Sequence, residues 1–134
     1  MHVREPVRMI EIPRIGVSAA VVEGVAPADL RIAAGHVPGT ALPGEIGNVG
    51  IAAHRDNFFR KLRYIRQGDT IVLTTPSAYY KYAVESTAIV DPANVQELQN
   101  SAQSTLTLVT CYPFYFVGPA PLRFIVRARQ VGTF

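Results

Sequence analysis

Proline and glycine cut this chain into short runs, and the runs are rich in residues that favour strands. Ten prolines and ten glycines are spread over 134 residues, which suits many short strands joined by tight turns. "VRMIEIPRI" reads as a strand that Pro13 ends or edges, because proline offers no N–H to a ladder. "SAAVVEG" reads as a second strand, stopped at Gly24. "NVGIAAH" is a strand of small residues ending at His54. "DTIVLTT" and "YYKYAVESTAIV" are strands that a turn at Pro76 and Ser77 makes into a hairpin. "TLTLVTC" and "LRFIVRARQV" are the last strands, with the loop "YPFYFVGPAP" between them.

Helical signals are few and short. "NFFRKLRYI" places apolar residues at 58, 59, 62 and 65, a helical spacing. "APADLRIA" is at most one short helix, with Pro27 as an early helical residue. "DPANVQEL" carries a helix start, with Asp91 as N-cap and Pro92 at the first position. "AGHVPGTALPGEIGN" reads as a loop dense in glycine and proline. The expected fold is therefore all-β dominated: a closed or nearly closed β-barrel of about seven to eight strands with two or three short helices. Strand directions are mixed, with antiparallel pairs in the majority. The length fits a single domain over residues 1–134.

Composition narrows the function classes. Hydrophobic residues make up 49% and charged residues 17%, so the chain can bury a core. A single cysteine, Cys111, excludes an internal disulfide and any multi-cysteine zinc knuckle. The net charge of +3 comes with two basic clusters, Arg55 to Arg66 and Arg123 to Arg129. No aromatic-interleaved motif or basic helix accompanies them, so a nucleic-acid partner is not expected. A solvated face or attraction to an anionic membrane or wall surface remains. No apolar run approaches the ~20 residues of a membrane helix, and "MHVREPVRMIEIP" has no signal-peptide core.

Alternation sorts the strand residues by face. Leu106 and Leu108 share one face of their strand; Thr105, Thr107, Val109 and Cys111 share the other. Leu122, Phe124, Val126 and Ala128 oppose Arg123, Ile125 and Arg127. Val49, Ile51 and Ala53 oppose Asn48, Gly50, Ala52 and His54. Cys111, Arg123 and His54 thus each fall on the less apolar face and at a strand end. If the last two strands are neighbours, Cys111 and Arg123 lie at one rim.

Those three residue types suffice for acyl transfer. A thiolate is a strong nucleophile, and a nearby imidazolium or guanidinium favours it. Histidine can protonate a departing amine. Arginine keeps its proton and donates to a developing oxyanion or a substrate carbonyl. The backbone N–H of Tyr112 is a candidate second donor. Against this stands the plain reading of Cys111 as a small buried hydrophobe.

The residues also resemble a known family. "TLVTC" matches the TLxTC signature around the nucleophile of the sortases, bacterial cysteine transpeptidases. "NVGIAAHRDNFFRKL" resembles the segment with the family's catalytic histidine, and "LRFIVRA" the last strand with its catalytic arginine. "MIEIPRIGVSAAVVEG", "GHVPGTALPG" and "TPSAYYKYAV" are similar to further segments, in order along the chain. "HRDNFFR" and "TCYPFYFVGPAPLRF" lean toward class D, with the Gram-negative sortases as the rival.

The resemblance implies a sortase barrel and a catalytic set of Cys111, His54 and Arg123. It implies a peptide sorting signal similar to LPxTG or LPxTA, a thioester on Cys111, and an amine acceptor such as a cell-wall precursor. It implies no cofactor. It also implies an N-terminal membrane anchor, not present in this sequence, at the extracytoplasmic face of a bacterial membrane. Thr110, Tyr112 and Phe114 are candidate substrate contacts, the aromatics as a wall for the signal's leucine or proline; ordinary packing is the alternative for each. Of the carboxylates that bind calcium in some members, the loop before His54 offers only Glu45, so no metal is expected. His36 is read as a locally hydrogen-bonded histidine, and Asp56 as a turn or capping residue. The competing functions are a non-catalytic binding module of the same fold and a purely hydrolytic thiol peptidase.

Overall fold

The computed structural model describes residues 5–24, 33–53, 58–91, 101–112 and 122–133, with backbone alone at 58, 59, 111 and 112. Within them, strands β1 (Met9–Ile12), β2 (Val17–Glu23), β3 (Ala34–His36), β4 (Gly47–Ala52), β5 (Thr70–Thr74), β6 (Tyr79–Val90), β7 (Ser104–Tyr112) and β8 (Leu122–Thr133) form one sheet. The sheet closes into a barrel in the order β1-β2-β3-β4-β7-β8-β6-β5. Two pairs are parallel, β2 with β3 and β4 with β7; the others are antiparallel. The expected β-barrel of mixed strand directions is what forms.

The local chemistry explains the turns. Ile10 and Ile12 point into the barrel and are fully buried. Pro13 then ends the ladder and opens a 3-10 turn, Pro13–Ile15. Gly16 closes that turn at φ 71, a left-handed conformation that glycine adopts without a Cβ penalty. The chain reverses into β2, where Val17, Ala19 and Val21 alternate inward. The helix expected over "NFFRKLRYI" is a 3-10 segment, Phe58–Tyr64, whose Leu62 drops fully buried into the core. Ile65 N–H bonds back to the Leu62 carbonyl, three residues away, as that tighter winding requires.

One expectation fails. The stretch "AGHVPGTALPGEIGN" is not all loop, because Ala34–His36 is strand β3. Its residues carry no β signal, and three positions are too few to show alternation. Pairing on both edges makes it a strand: β2 lies on one side and β4 on the other. The expected helices over 26–33 and from Pro92 onward lie outside the described residues, apart from Ala33.

The pairings fix which ends share a rim. β1, β4, β6 and β7 run one way and end at one rim; β2, β3, β5 and β8 begin there. The core between them follows the face assignments: Val49, Ile51 and Ala53 meet Leu106, Leu108, Val126 and Ala128, with Phe124 packed on the edge. Tyr82 is also sealed in, and burial pushes its phenol well above the usual tyrosine range.

Candidate functional site

β7 and β8 pair without a bulge from Thr105↔Arg129 to Tyr112↔Leu122. That unbroken register sets Cys111 directly across from Arg123 at the rim. Arg123 has Val90 of β6 on its other flank. Its side chain is half-buried, and its Nη1 donates to the Leu122 carbonyl at 3.0 Å. The conditional expectation that these strands are neighbours is met.

β4 lies on the other side of β7, parallel and equally regular, from Gly47↔Ser104 to Ala52↔Val109. Just past this ladder the chains are joined twice more. Ala53 N–H donates to the Val109 carbonyl at 3.2 Å. The Thr110 hydroxyl donates to the Ala53 carbonyl at 2.9 Å. The residue before His54 is thus tied to the two residues before Cys111. His54 itself, with Asp56 and Phe114, lies outside the described residues, as do the side chains of Cys111 and Tyr112.

Thr110 is 2% exposed. Its hydroxyl works between the two strands. Sequence reasoning placed Thr110 away from the Cys111 face but found no partner for it. The Ala53 link spans 57 residues and becomes visible only once β4 and β7 are neighbours.

A second tie lies further down the same pair. Asn48 Oδ1 accepts from Thr107 at 2.8 Å and from Thr105 at 3.2 Å. All three are buried on the outer face of the barrel wall, opposite the core. Toward the rim that face opens: Ala52, Val109 and Arg123 are half-buried. The outer wall of β4, β7 and β8 therefore changes from a closed polar patch to an accessible shelf as it approaches Cys111.

His36 belongs to the other end of the barrel, where β3 finishes. It is buried, with Nδ1 2.7 Å from Glu23 Oε1 and Nε2 2.8 Å from the Ala41 carbonyl oxygen. These bonds hold the loop after β3 against β2, in keeping with the local role read from the sequence. Among the described residues, no three His, Cys, Asp or Glu side chains gather as a metal would need.

A barrel with this strand order, a TLxTC strand at its rim and an arginine across from the cysteine is a sortase arrangement. The sortase domain model matches residues 10–131. The chain belongs to the sortase family. It is 34% identical over 125 residues to sortase D of Bacillus subtilis (strain 168), a match covering 92% of this chain and 63% of that protein. It is 30% identical over 106 residues to sortase A of Listeria monocytogenes, covering 76% of this chain and 47% of that one. The chain thus spans less than two thirds of these relatives. Among solved structures, a Clostridium perfringens sortase D5 transpeptidase superposes with a TM-score of 0.85 at 30% identity, covering 98% of this chain and 83% of that one. Sortase A of Listeria monocytogenes gives 0.87 at 25% identity, covering 96% and 90%.

Proposed function

We propose that this chain is the catalytic unit of a cysteine transpeptidase that cuts a sorting signal similar to LPxTG or LPxTA and joins the freed acyl group to an amine. The observation that carries the reading is the placement of Cys111 opposite Arg123, on a strand tied to the residue before His54.

The chemistry follows from those positions. The Cys111 thiolate attacks the carbonyl carbon of the signal's threonine. The carbonyl oxygen takes the negative charge, and Arg123, paired with Cys111 in the ladder, is the residue to donate to it. His54 gives a proton to the departing amine, which leaves as the intermediate collapses to a thioester. An incoming amine then attacks the thioester, with His54 accepting its proton, and the Cys111 thiolate is released. Atoms balance without a cofactor or metal. The shelf formed by Ala52 and Val109 offers apolar surface for the signal near the end of β7, with Tyr112 and Phe114 as candidate walls. The class D assignment is supported by the Bacillus subtilis and Clostridium perfringens relatives.

The reaction belongs at the extracytoplasmic face of a bacterial membrane, where sorting signals and cell-wall amines meet. Among the described residues no helix is long and apolar enough to cross a membrane. The test is a product analysis with a labelled signal peptide, with and without a small primary amine. A peptide–amine conjugate that replaces the hydrolysis product as amine rises supports transfer. Hydrolysis unaffected by amine makes the chain a peptidase instead, and no turnover leaves only the binding-module reading.

A further inference from the structure

His36 is a buried titratable group that the transpeptidation chemistry leaves unused. It ends β3, and the register sets it beside Glu23 of β2 on one side and Ile51 of β4 on the other. Only 5% of its side chain is exposed, against 58% for Glu23. Acceptors face both ring nitrogens. Nδ1 is 2.7 Å from Glu23 Oε1, and Nε2 is 2.8 Å from the Ala41 carbonyl oxygen. Thr40 Oγ1 stands 3.1 Å from Nε2, but its own proton goes to the Val37 carbonyl at 2.6 Å.

A carbonyl oxygen has no proton to give, so the Ala41 bond places one on Nε2. The Glu23 bond then needs a second proton, on Nδ1 or on the carboxyl. The closed arrangement therefore holds one proton more than a neutral imidazole and an ionised carboxylate bring to it. When that proton leaves, one of the two bonds must go. A bond to a carboxylate is about twice as strong as one between neutral groups, so Glu23 keeps the remaining ring proton at Nδ1. Nε2 then presents a bare lone pair to the Ala41 carbonyl and repels it. Among the described residues, β2 contributes Glu23 as its one titratable side chain, and β3 and β4 contribute none besides His36. The loop over residues 37–46 contributes Glu45, whose Oε1 accepts the Leu42 N–H at 2.7 Å.

The same loop is fastened to β4. The Val37 and Ala41 N–H groups donate to the Gly50 and Asn48 carbonyls at 2.8 and 3.0 Å, and the Gly50 N–H donates to Thr40 Oγ1 at 3.0 Å. Asn48 in turn carries the side-chain tie to β7. We propose that Glu23 and His36 form a proton-dependent latch. The loop over residues 37–46 lies closed on β4 while the pair holds its extra proton, and it loosens at Thr40 and Ala41 when that proton leaves as pH rises. The latch lies at the end of the barrel away from Cys111.

The test follows the whole chain by NMR from about pH 5 to about pH 9, a span that brackets ordinary histidine titration. Ring nitrogen shifts count the protons on Nδ1 and Nε2, and hydrogen-exchange protection of the Ala41 and Gly50 amides reads the loop. At the acid end both nitrogens are expected to carry protons. As pH rises Nε2 loses its proton, and protection of both amides is expected to fall about tenfold, the worth of one net hydrogen bond. Glu23 is exposed, so Glu23→Gln is expected to keep the fold. The glutamine amide can donate to a neutral Nδ1, so the ring of this variant keeps its Nε2 proton and protection stays level with pH. A coupled step in the parent that is missing from Glu23→Gln supports the latch. A ring with the same number of protons throughout, a ring that sheds the Nδ1 proton and keeps that on Nε2, protection that does not follow the ring, or a fall undiminished in Glu23→Gln overturns it.

Discussion

Cys111 and Arg123 stand directly opposite each other on the last two strands, in a ladder with no bulge between Thr105 and Tyr112. That pairing sets the two backbone positions side by side with no loop needed to bring them together. Replacing Arg123 by Gln is expected to lower kcat on the order of 10²- to 10³-fold, the range seen when an oxyanion donor is removed. Arg123→Lys should recover little, because a point charge does not reproduce the fork. Steady-state kinetics with a signal peptide check this, with circular dichroism confirming the fold. Near-parental kcat in Arg123→Gln would remove arginine from the mechanism.

The Thr110 hydroxyl bond to the Ala53 carbonyl predicts a different pattern. Thr110→Val keeps the shape and loses the donor; Thr110→Ser keeps the donor. Loss of one net hydrogen bond of about 1.4 kcal/mol corresponds to about tenfold in rate if it is felt in the transition state. Thr110→Val should therefore lose about tenfold in kcat with KM little changed, and Thr110→Ser should restore it. A lower urea midpoint with unchanged kcat in Thr110→Val would make the bond structural only.

Asn48 joins β4 to β7 at the closed end of the same wall. Asn48→Ala removes the acceptor used by two buried hydroxyls. The expected loss of stability is about 1–3 kcal/mol, the cost of disturbing buried hydrogen bonds. Urea unfolding measures it, and a change within error would show that other partners of Thr105 and Thr107 suffice.

Asp69 sets the acid limb of stability near the β1–β5 rim. The Arg14 guanidinium bonded to it, with the Arg66 N–H, holds its carboxyl below the usual range, against a smaller opposing effect of burial. A lowered carboxylate pKa adds stability above the unfolded value of about 4, and that stability is lost as pH falls through the lowered folded value. Urea midpoints of the parent and Asp69→Asn should thus differ most at neutral pH and converge in acid. A gap that stays constant from neutral pH down to pH 2 would contradict the pairing.

Much of this was legible from residues alone because strand alternation is a strong local signal. Leu106, Leu108, Val126 and Ala128 meet in the core as their spacing implies. The Cys111–Arg123 pairing needed only that two consecutive strands be neighbours. β3 was hidden because Ala34–His36 becomes a strand through its neighbours rather than its own residues. The Ala53–Thr110 and Asn48–Thr107 ties were hidden for a related reason. They depend on a parallel contact between strands more than fifty residues apart, which no local pattern encodes. The Asp69–Arg14 pair was hidden in the same way, across 55 residues.

Intact mass of the protein after brief exposure to a signal peptide tests the central claim most directly. A mass increase equal to the acyl fragment, present in the parent, reversed by hydroxylamine and missing from Cys111→Ala, is the predicted result. Peptide cleavage that continues in Cys111→Ala without any adduct would contradict it.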